Sequence, residues 1–203
     1  MAADPALSEQ IYFELRRRLL AGGFRLNERL DVSRIAADMG SSATPVREAL
    51  TRLAAEGLIA ARPARGFFAS LWSEAGLRAL YEWRGMLARI AVKESATISL
   101  PIGEADTSVS YADAARAMFT LIEQGANVEL RAAAANADDR LHAARCVEPD
   151  VMAGCAKELA AIASAQTERQ LLNVLQRYFA RRAAHAAALR DRAMLRLLPP
   201  NGQ

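Results

Sequence analysis

The sequence predicts a mainly α-helical protein in two parts, and three observations carry the prediction. Alanine fills forty-five of the 203 positions, while glycine (11) and proline (7) are sparse, so most of the chain favours helix. The first seventy residues are broken by closely spaced caps, glycines and one turn-rich basic stretch; the rest is interrupted only at long intervals. At 52% hydrophobic and 24% charged the chain has apolar surface for a packed core, which excludes a disordered or fibrous protein. Its length fits one large domain or two small ones, and the change in punctuation places the division at residues 1–70 and 71–203.

In the first part, Ser8 is expected to cap a helix running to about Ala21, with Ile11, Leu15 and Leu19 on one face and Gly22-Gly23 as the stop. Asp31 caps a second, two-turn helix whose apolar positions Val32, Ile35, Ala36 and Met39 follow helical spacing up to Gly40. After Ser41, Ser42 and Ala43, Thr44 is expected to cap a third helix with Pro45 at its first position, where a missing N–H costs nothing. Val46, Ala49, Leu50, Leu53 and Ala54 commit one side of that helix to the core, and Gly57 ends it. Leu58–Ala61 and Phe67–Ser70 read as short strands joined by the basic tip Arg62 to Gly66. Helix, short helix, tight turn, helix and hairpin are the order of a winged helix-turn-helix; a generic small helical domain with surface arginines is the alternative.

The second part reads as an all-α helical bundle. Ser73 caps a long helix with Leu77, Leu80, Tyr81, Leu87, Ala88 and Ala91 in its buried stripe, and Arg84 falls inside that stripe. A buried guanidinium requires an anionic partner, either an internal Asp or Glu or the carboxylate of a bound molecule. Pro101 to Ser110 reads as a loop, and Ala112 to Gln124 as a helix burying Met118, Leu121 and Ile122. The next helix runs from Val128 to about Cys146, followed by one opened by Pro149 and a last one from Thr167 to about Leu197. Asp138 and His142 stand four residues apart on one helix face, a spacing that can hold one metal ion, and His185 points inward on the last helix.

The net charge of +3 gives no polycationic coat, so any basic function is local. Cys146 and Cys155 form neither a disulfide framework nor a zinc pattern and read as free thiols. No apolar run approaches the roughly 18 residues of a membrane span, and the first residues lack a signal-peptide pattern, so the expected location is the cytoplasm without membrane contact.

The stretch Ser42-Ala-Thr-Pro-Val-Arg-Glu-Ala-Leu50, with Arg52-Leu-Ala-Ala-Glu-Gly-Leu-Ile59 and Pro63-Ala-Arg65-Gly66, resembles the DNA-binding domain of the GntR family of bacterial transcription regulators. The resemblance covers about residues 8 to 70. The remainder, starting Leu77-Arg-Ala-Leu-Tyr-Glu-Trp-Arg84, is similar to the FCD-type effector-binding domain of that family's FadR branch. Two departures stand out. Ala43 occupies a place where the family commonly has Arg, and Leu26-Asn27 replaces a usual Pro-Gly; Asn tolerates a left-handed backbone, so that turn can survive.

Chemistry and resemblance together nominate the sites. A recognition helix needs donors at its N-terminal end, which Thr44, Arg47 and Thr51 supply, and arginine is the commonest reader of guanine. The resemblance implies that Thr44 and Arg47 touch DNA and that Arg65 and Gly66 form a wing tip meeting phosphate or the minor groove. One small module binds weakly, so a homodimer on a palindromic double-stranded operator is expected, with the second domain supplying the dimer contacts. The resemblance also implies a small carboxylate effector at Arg84, and a divalent metal ion (zinc, nickel or manganese-like) on Asp138, His142 and His185; the family's further histidine is missing. A repressor is the expected activity, without enzymatic function. A dimeric scaffold lacking any ligand is one alternative, and a metal-dependent hydrolase another, although Asp139 turns about 100 degrees from Asp138 and cannot serve as its general base. Convergence of Arg84, Asp138, His142 and His185 on one cavity separates these readings.

Overall fold

The computed structural model describes residues 5–25, 27–69, 72–94 and 109–196. It is mainly helical, with one small sheet, and divides into two compact units. The first takes the residues up to 69 together with the chain from Met194, and the second is Trp72–Ala193.

The first unit runs α1 (Pro5–Leu20), β1 (Arg29–Leu30), α2 (Val32–Asp38), α3 (Ala43–Ala55), β2 (Ile59–Arg62) and β3 (Gly66–Ala69). Ile11, Tyr12 and Leu15 on α1 share a core with Val46, Ala49, Leu50 and Leu53 on α3, closed by Leu30, Ile35, Ala36, Leu58 and Ile59. Asp31 caps α2, its Oδ1 accepting from the backbone N–H groups of Ser33 and Arg34 at 2.8 and 3.0 Å. The strands form an antiparallel sheet in the order β1-β3-β2, with Arg62 opposite Gly66 across the hairpin.

Several local expectations shift. Helix α1 starts at Pro5, so Ser8 lies inside it, and its hydroxyl donates to Glu48 of α3 instead of capping. Helix α3 starts one residue before Thr44, at Ala43, with Ser42 as its extended N-cap residue. Thr44 is therefore within the first turn, and Pro45 sits at the third position, where a backbone N–H would still have no intrahelical acceptor. Strand β1 is too short for any periodicity to reveal it. Asn27 adopts the expected left-handed backbone at φ 63°, and Ala64 at the hairpin tip does the same at φ 57°.

The second unit contains α4 (Glu74–Glu94), α5 (Tyr111–Ile122), α6 (Val128–Arg145), α7 (Glu148–Val151), α8 (Cys155–Ala163), α9 (Glu168–Ala184) and most of α10 (Ala186–Arg196). Side-chain caps begin four of them: Ser73 accepts from the Gly76 N–H at 3.0 Å, Ser110 from Asp113 at 3.2 Å, Asn127 from Leu130 at 2.9 Å and Thr167 from Gln170 at 3.2 Å. Helix α4 lies against α9 so closely that a Cβ added to Gly85 would stand 2.9 Å from both Cβ and Cγ of Phe179.

Two expected helices are each split. The one opened by Pro149 breaks into α7 and α8 at Gly154, whose φ of 81° helix cannot accommodate. The long last one breaks at His185, which caps α9 before α10 begins. In α5 the buried aromatic is Phe119, whereas Met118 and Leu121 are half-buried, so the helix is rotated from the expected face. Of the expected loop at 101–110, all but the last two residues lie outside the described residues, as do Leu26, Ser70 and Leu197.

Candidate nucleic-acid interface and the buried polar core

Helix α3 is anchored by one face and open on the other. Val46, Leu50 and Leu53 are fully buried, while Thr44, Arg47 and Thr51, at helical spacing i, i+3 and i+7, are all exposed. With Glu48, Arg52 and Ala55 they line a shallow open groove along the helix. The charged residues of that groove have different freedoms. Glu48 accepts from Ser8, and Arg52 is committed to Glu56 at 3.3 Å, to Glu9 at 3.6 Å and to the face of Tyr12 at 3.8 Å. The Arg47 guanidinium has no hydrogen bond or ion pair among the described residues, so neither Glu48 nor Thr51 occupies it. Thr51 donates its hydroxyl to the Arg47 carbonyl at 2.7 Å, which leaves its oxygen as an acceptor only.

The hairpin tip presents Pro63, Ala64 and Arg65, all exposed, and Gly66 opens β3 at φ 91°. The backbone N–H of Arg65 closes the turn onto the Arg62 carbonyl at 3.0 Å while its side chain extends into solvent. Two further arginines belong to the wing beyond the site residues that the sequence nominates. Arg62 lies 4.3 Å over the Phe68 ring and donates to Asn27 at 2.6 Å, which fixes the tip against the turn before β1. Arg29 is exposed on β1 opposite Phe68, a position that only knowledge of the third strand reveals.

In the second unit Arg84 is wholly buried, as expected, and its partners are internal. Nε and Nη2 donate to the two oxygens of Asp138 at 2.7 and 3.1 Å, and Nη1 stands 2.6 Å from Glu123 in an ion pair without hydrogen-bond alignment. Arg145, from the end of α6, brings a second guanidinium to within 2.6 Å of Asp138. Burial works against the Asp138 carboxylate, but Arg145 and Arg84 outweigh it and hold its pKa below the usual range. Glu123 goes the other way: burial, only partly offset by Arg84 and reinforced by the Asp138 charge, pushes it up to about 7.

A second cluster adjoins the first. Glu148 accepts from Tyr81 at 2.8 Å and from Tyr111 and Arg182 at 2.7 Å each; Arg182 also reaches Glu158 at 2.9 Å and lies 3.2 Å over the Tyr178 ring. Arginine in a helical stripe signals a need for partners, but spacing alone cannot identify them, because Glu123, Glu148 and Glu158 arrive from other helices.

The expected metal set does not assemble. Asp138 is taken by two arginines; His142 Nε2 is 3.7 Å from Cys146 Sγ; His185 Nδ1 is 2.8 Å from the Arg181 carbonyl. Among the described residues no group of three His, Cys, Asp or Glu side chains could hold a metal ion. The i, i+4 spacing of Asp138 and His142 is real, but the Asp138 carboxylate is paired with the buried guanidinia of Arg84 and Arg145.

A helix-turn-helix with a three-stranded wing, in one chain with an all-helical unit, defines the architectural class: a winged-helix protein with a helical C-terminal part. Residues 7–69 match the family model described as bacterial regulatory proteins, gntR family. The chain is 41% identical over 70 residues to the Nta operon transcriptional regulator of Aminobacter aminovorans, covering 34% of this chain and 33% of the relative. It is 34% identical over 108 residues to a helix-turn-helix-type transcriptional regulator from the TAR-I ttuE-ttuC' intergenic region of Agrobacterium vitis, covering 53% and 60%. The match thus spans between a third and 60% of the length of these relatives. Among solved structures it is similar to a GntR regulator from Rhodococcus sp. RHA1 (TM-score 0.66, 17% identity, 89% and 97% covered) and to E. coli McbR/YncC (0.58, 18%, 93% and 99%). Those likenesses extend the fold across both units. Among the described residues no helix is long and apolar enough to cross a membrane.

Proposed function

We propose that this chain is a cytoplasmic transcription regulator that binds a palindromic double-stranded operator as a homodimer. The observation that carries the reading is Arg47: an unpaired guanidinium on the exposed N-terminal half of α3, over a fully buried apolar back, flanked by Thr44 and Thr51. A helix so presented enters the major groove with its donors leading, and the wing tip at Arg65 and Gly66 meets the neighbouring phosphates or minor groove. Ala43, exposing no side-chain donor next to Thr44, leaves base reading mainly to Arg47.

The finer reading is an FCD-type repressor whose second unit responds to a small carboxylate. Arg84 supports it in a modified form. Its firm partner is Asp138, while Glu123 is held through a single ion-pair contact and has a pKa near neutrality. An organic carboxylate would take the place of Glu123 on Nη1, with differential binding to two states setting a coupling of about 1–3 kcal/mol.

The test begins with capture of genomic fragments on purified protein and a gel shift of the enriched site. A palindromic site is expected, with Arg47→Ala weakening it about 10- to 100-fold at unchanged helicity and oligomeric state. Normal operator binding by Arg47→Ala, or no specific site with or without candidate carboxylates, overturns the reading.

A further inference from the structure

Helix α4 is buried on one side, and its other side is not an ordinary polar face. Trp83, Met86 and Ile90 are 46%, 55% and 44% exposed, three large apolar side chains on one stripe. The stripe continues back through the exposed Ala79 and Gly76 to the first turn of the helix. The positions 76, 79, 83, 86 and 90 alternate steps of three and four, the seam of a two-helix coiled coil. Charged residues belong on an outward helix face, so a heptad seam of this composition marks a surface that another helix covers.

From this pattern the geometry points to a second copy of the same chain as the occupant, docked with its α4 antiparallel. Size argues for that direction. Antiparallel pairing centred between Trp83 and Met86 sets each Trp83 against the other copy's Met86 and each Ile90 against the other copy's Ala79, large against flexible or small. Parallel pairing would set Gly76 on Gly76 and Trp83 on Trp83, leaving a void at one layer and overcrowding at another.

Charge argues for it independently. Glu82 and Arg89 flank the seam on the same edge, one heptad apart; both are exposed, and neither has an ion pair or hydrogen bond among the described residues. In the antiparallel register that edge faces itself, so Glu82 of each copy meets Arg89 of the other, giving two symmetric ion pairs across one two-fold axis. This inference rests on the homodimer within the function proposed above and supplies its contact surface.

Sedimentation equilibrium of the full chain tests it. The wild type is expected to be a dimer. Met86→Glu, Glu82→Arg and Arg89→Glu are each expected to raise the dissociation constant, by about tenfold or more, with unchanged circular dichroism. The double exchange Glu82→Arg with Arg89→Glu restores both pairs with reversed sign, and it is expected to recover dimerisation relative to either single variant. Because all these side chains are solvent-facing, a folding defect does not imitate that rescue. A dimer indifferent to Met86→Glu and to both single reversals overturns the α4 surface while leaving the homodimer standing. Failure of the double exchange to rescue overturns the antiparallel register. A chain monomeric in both sedimentation and DNA binding overturns surface and homodimer together.

Discussion

Asp138 stands between two buried guanidinia, 2.7 Å from Arg84 Nε and 2.6 Å from Arg145 Nη2, and its carboxylate is the charge that both require. Removing it leaves two arginines in the core with Glu123 as their nearest neutralising group, and that group holds its own charge poorly. Asp138→Ala is therefore expected to destabilise the second unit by about 3–5 kcal/mol, as measured by urea unfolding. Asp138→Asn keeps the volume but not the charge, and it should lose most of the same amount. A loss under about 1 kcal/mol for either variant would show that the arginines find other partners.

Glu123 makes stability depend on pH in the direction opposite to most carboxylates. Its pKa is about 7 in the folded chain against an ordinary 4.5, so the folded protein holds a proton that the unfolded chain releases. The unfolded state then binds fewer protons between these values, and the contribution to unfolding free energy falls as pH rises from about 4.5 to about 7. Asp138, with a lowered pKa, loses its contribution only as pH falls below its ordinary 3.8, outside that window. Glu123→Gln, which cannot ionise, is expected to flatten the decline, gaining on the order of 1–3 kcal/mol over wild type at pH 8 and little at pH 5. Thermal melts at the two pH values check it; parallel wild-type and variant profiles would place the proton elsewhere.

What the sequence discloses here follows from the range of the interactions involved. The helix-turn-helix is legible because its determinants are local: the Asp31 cap, the apolar spacing of Val46, Ala49, Leu50 and Leu53, and a left-handed Asn27. The exposure of Thr44, Arg47 and Thr51 follows from the same spacing. The burial of Arg84 is legible too, since a helical stripe determines it, but its partners on α5 and α6 depend on how helices pack. His185 shows the limit of periodicity. Its spacing continues the stripe of Leu171, Leu175 and Tyr178, yet the helix ends at that residue and the ring turns to the Arg181 carbonyl one turn earlier. Strand β1 is hidden for the reverse reason, since two residues paired to a distant strand carry no local pattern.

Gly85 is required for packing and not for its backbone angles. A methyl group there would lie 2.9 Å from Phe179 Cβ, a carbon fixed to the α9 backbone, so relief requires α4 and α9 to separate. Phe179 is itself held in an aromatic cluster with Phe119 and Tyr178. Gly85→Ala gains intrinsic helix propensity of nearly 1 kcal/mol, but overpacking outweighs it, and the net expectation is a loss of about 1–2 kcal/mol in urea unfolding. The pair Gly85→Ala with Phe179→Leu should recover part of it. A more stable single variant would mean that the two helices yield readily at their crossing.

Ala64 is a non-glycine residue in the left-handed region, at φ 57° on the tip of the wing. That conformation brings an L side chain close to the following carbonyl, at a cost of about 1–2 kcal/mol, whereas glycine adopts it freely but gives up roughly 0.5–1 kcal/mol of unfolded-chain entropy. The two effects leave Ala64→Gly slightly stabilising, by up to about 1 kcal/mol, and Ala64→Val destabilising by more, because its branched Cβ crowds the same carbonyl. Arg62 on Asn27 and Phe68 holds the turn in place from below, so the tip cannot relax toward an unstrained shape without breaking those contacts. In the proposed DNA complex the wing contributes through Arg65, and Ala64→Gly is expected to change operator affinity by less than about threefold, since the strain is relieved without moving the contact. Thermal melts of the Gly and Val variants beside a gel shift measure both quantities. Equal stability for the two variants would show that Ala64 does not hold the left-handed conformation in solution.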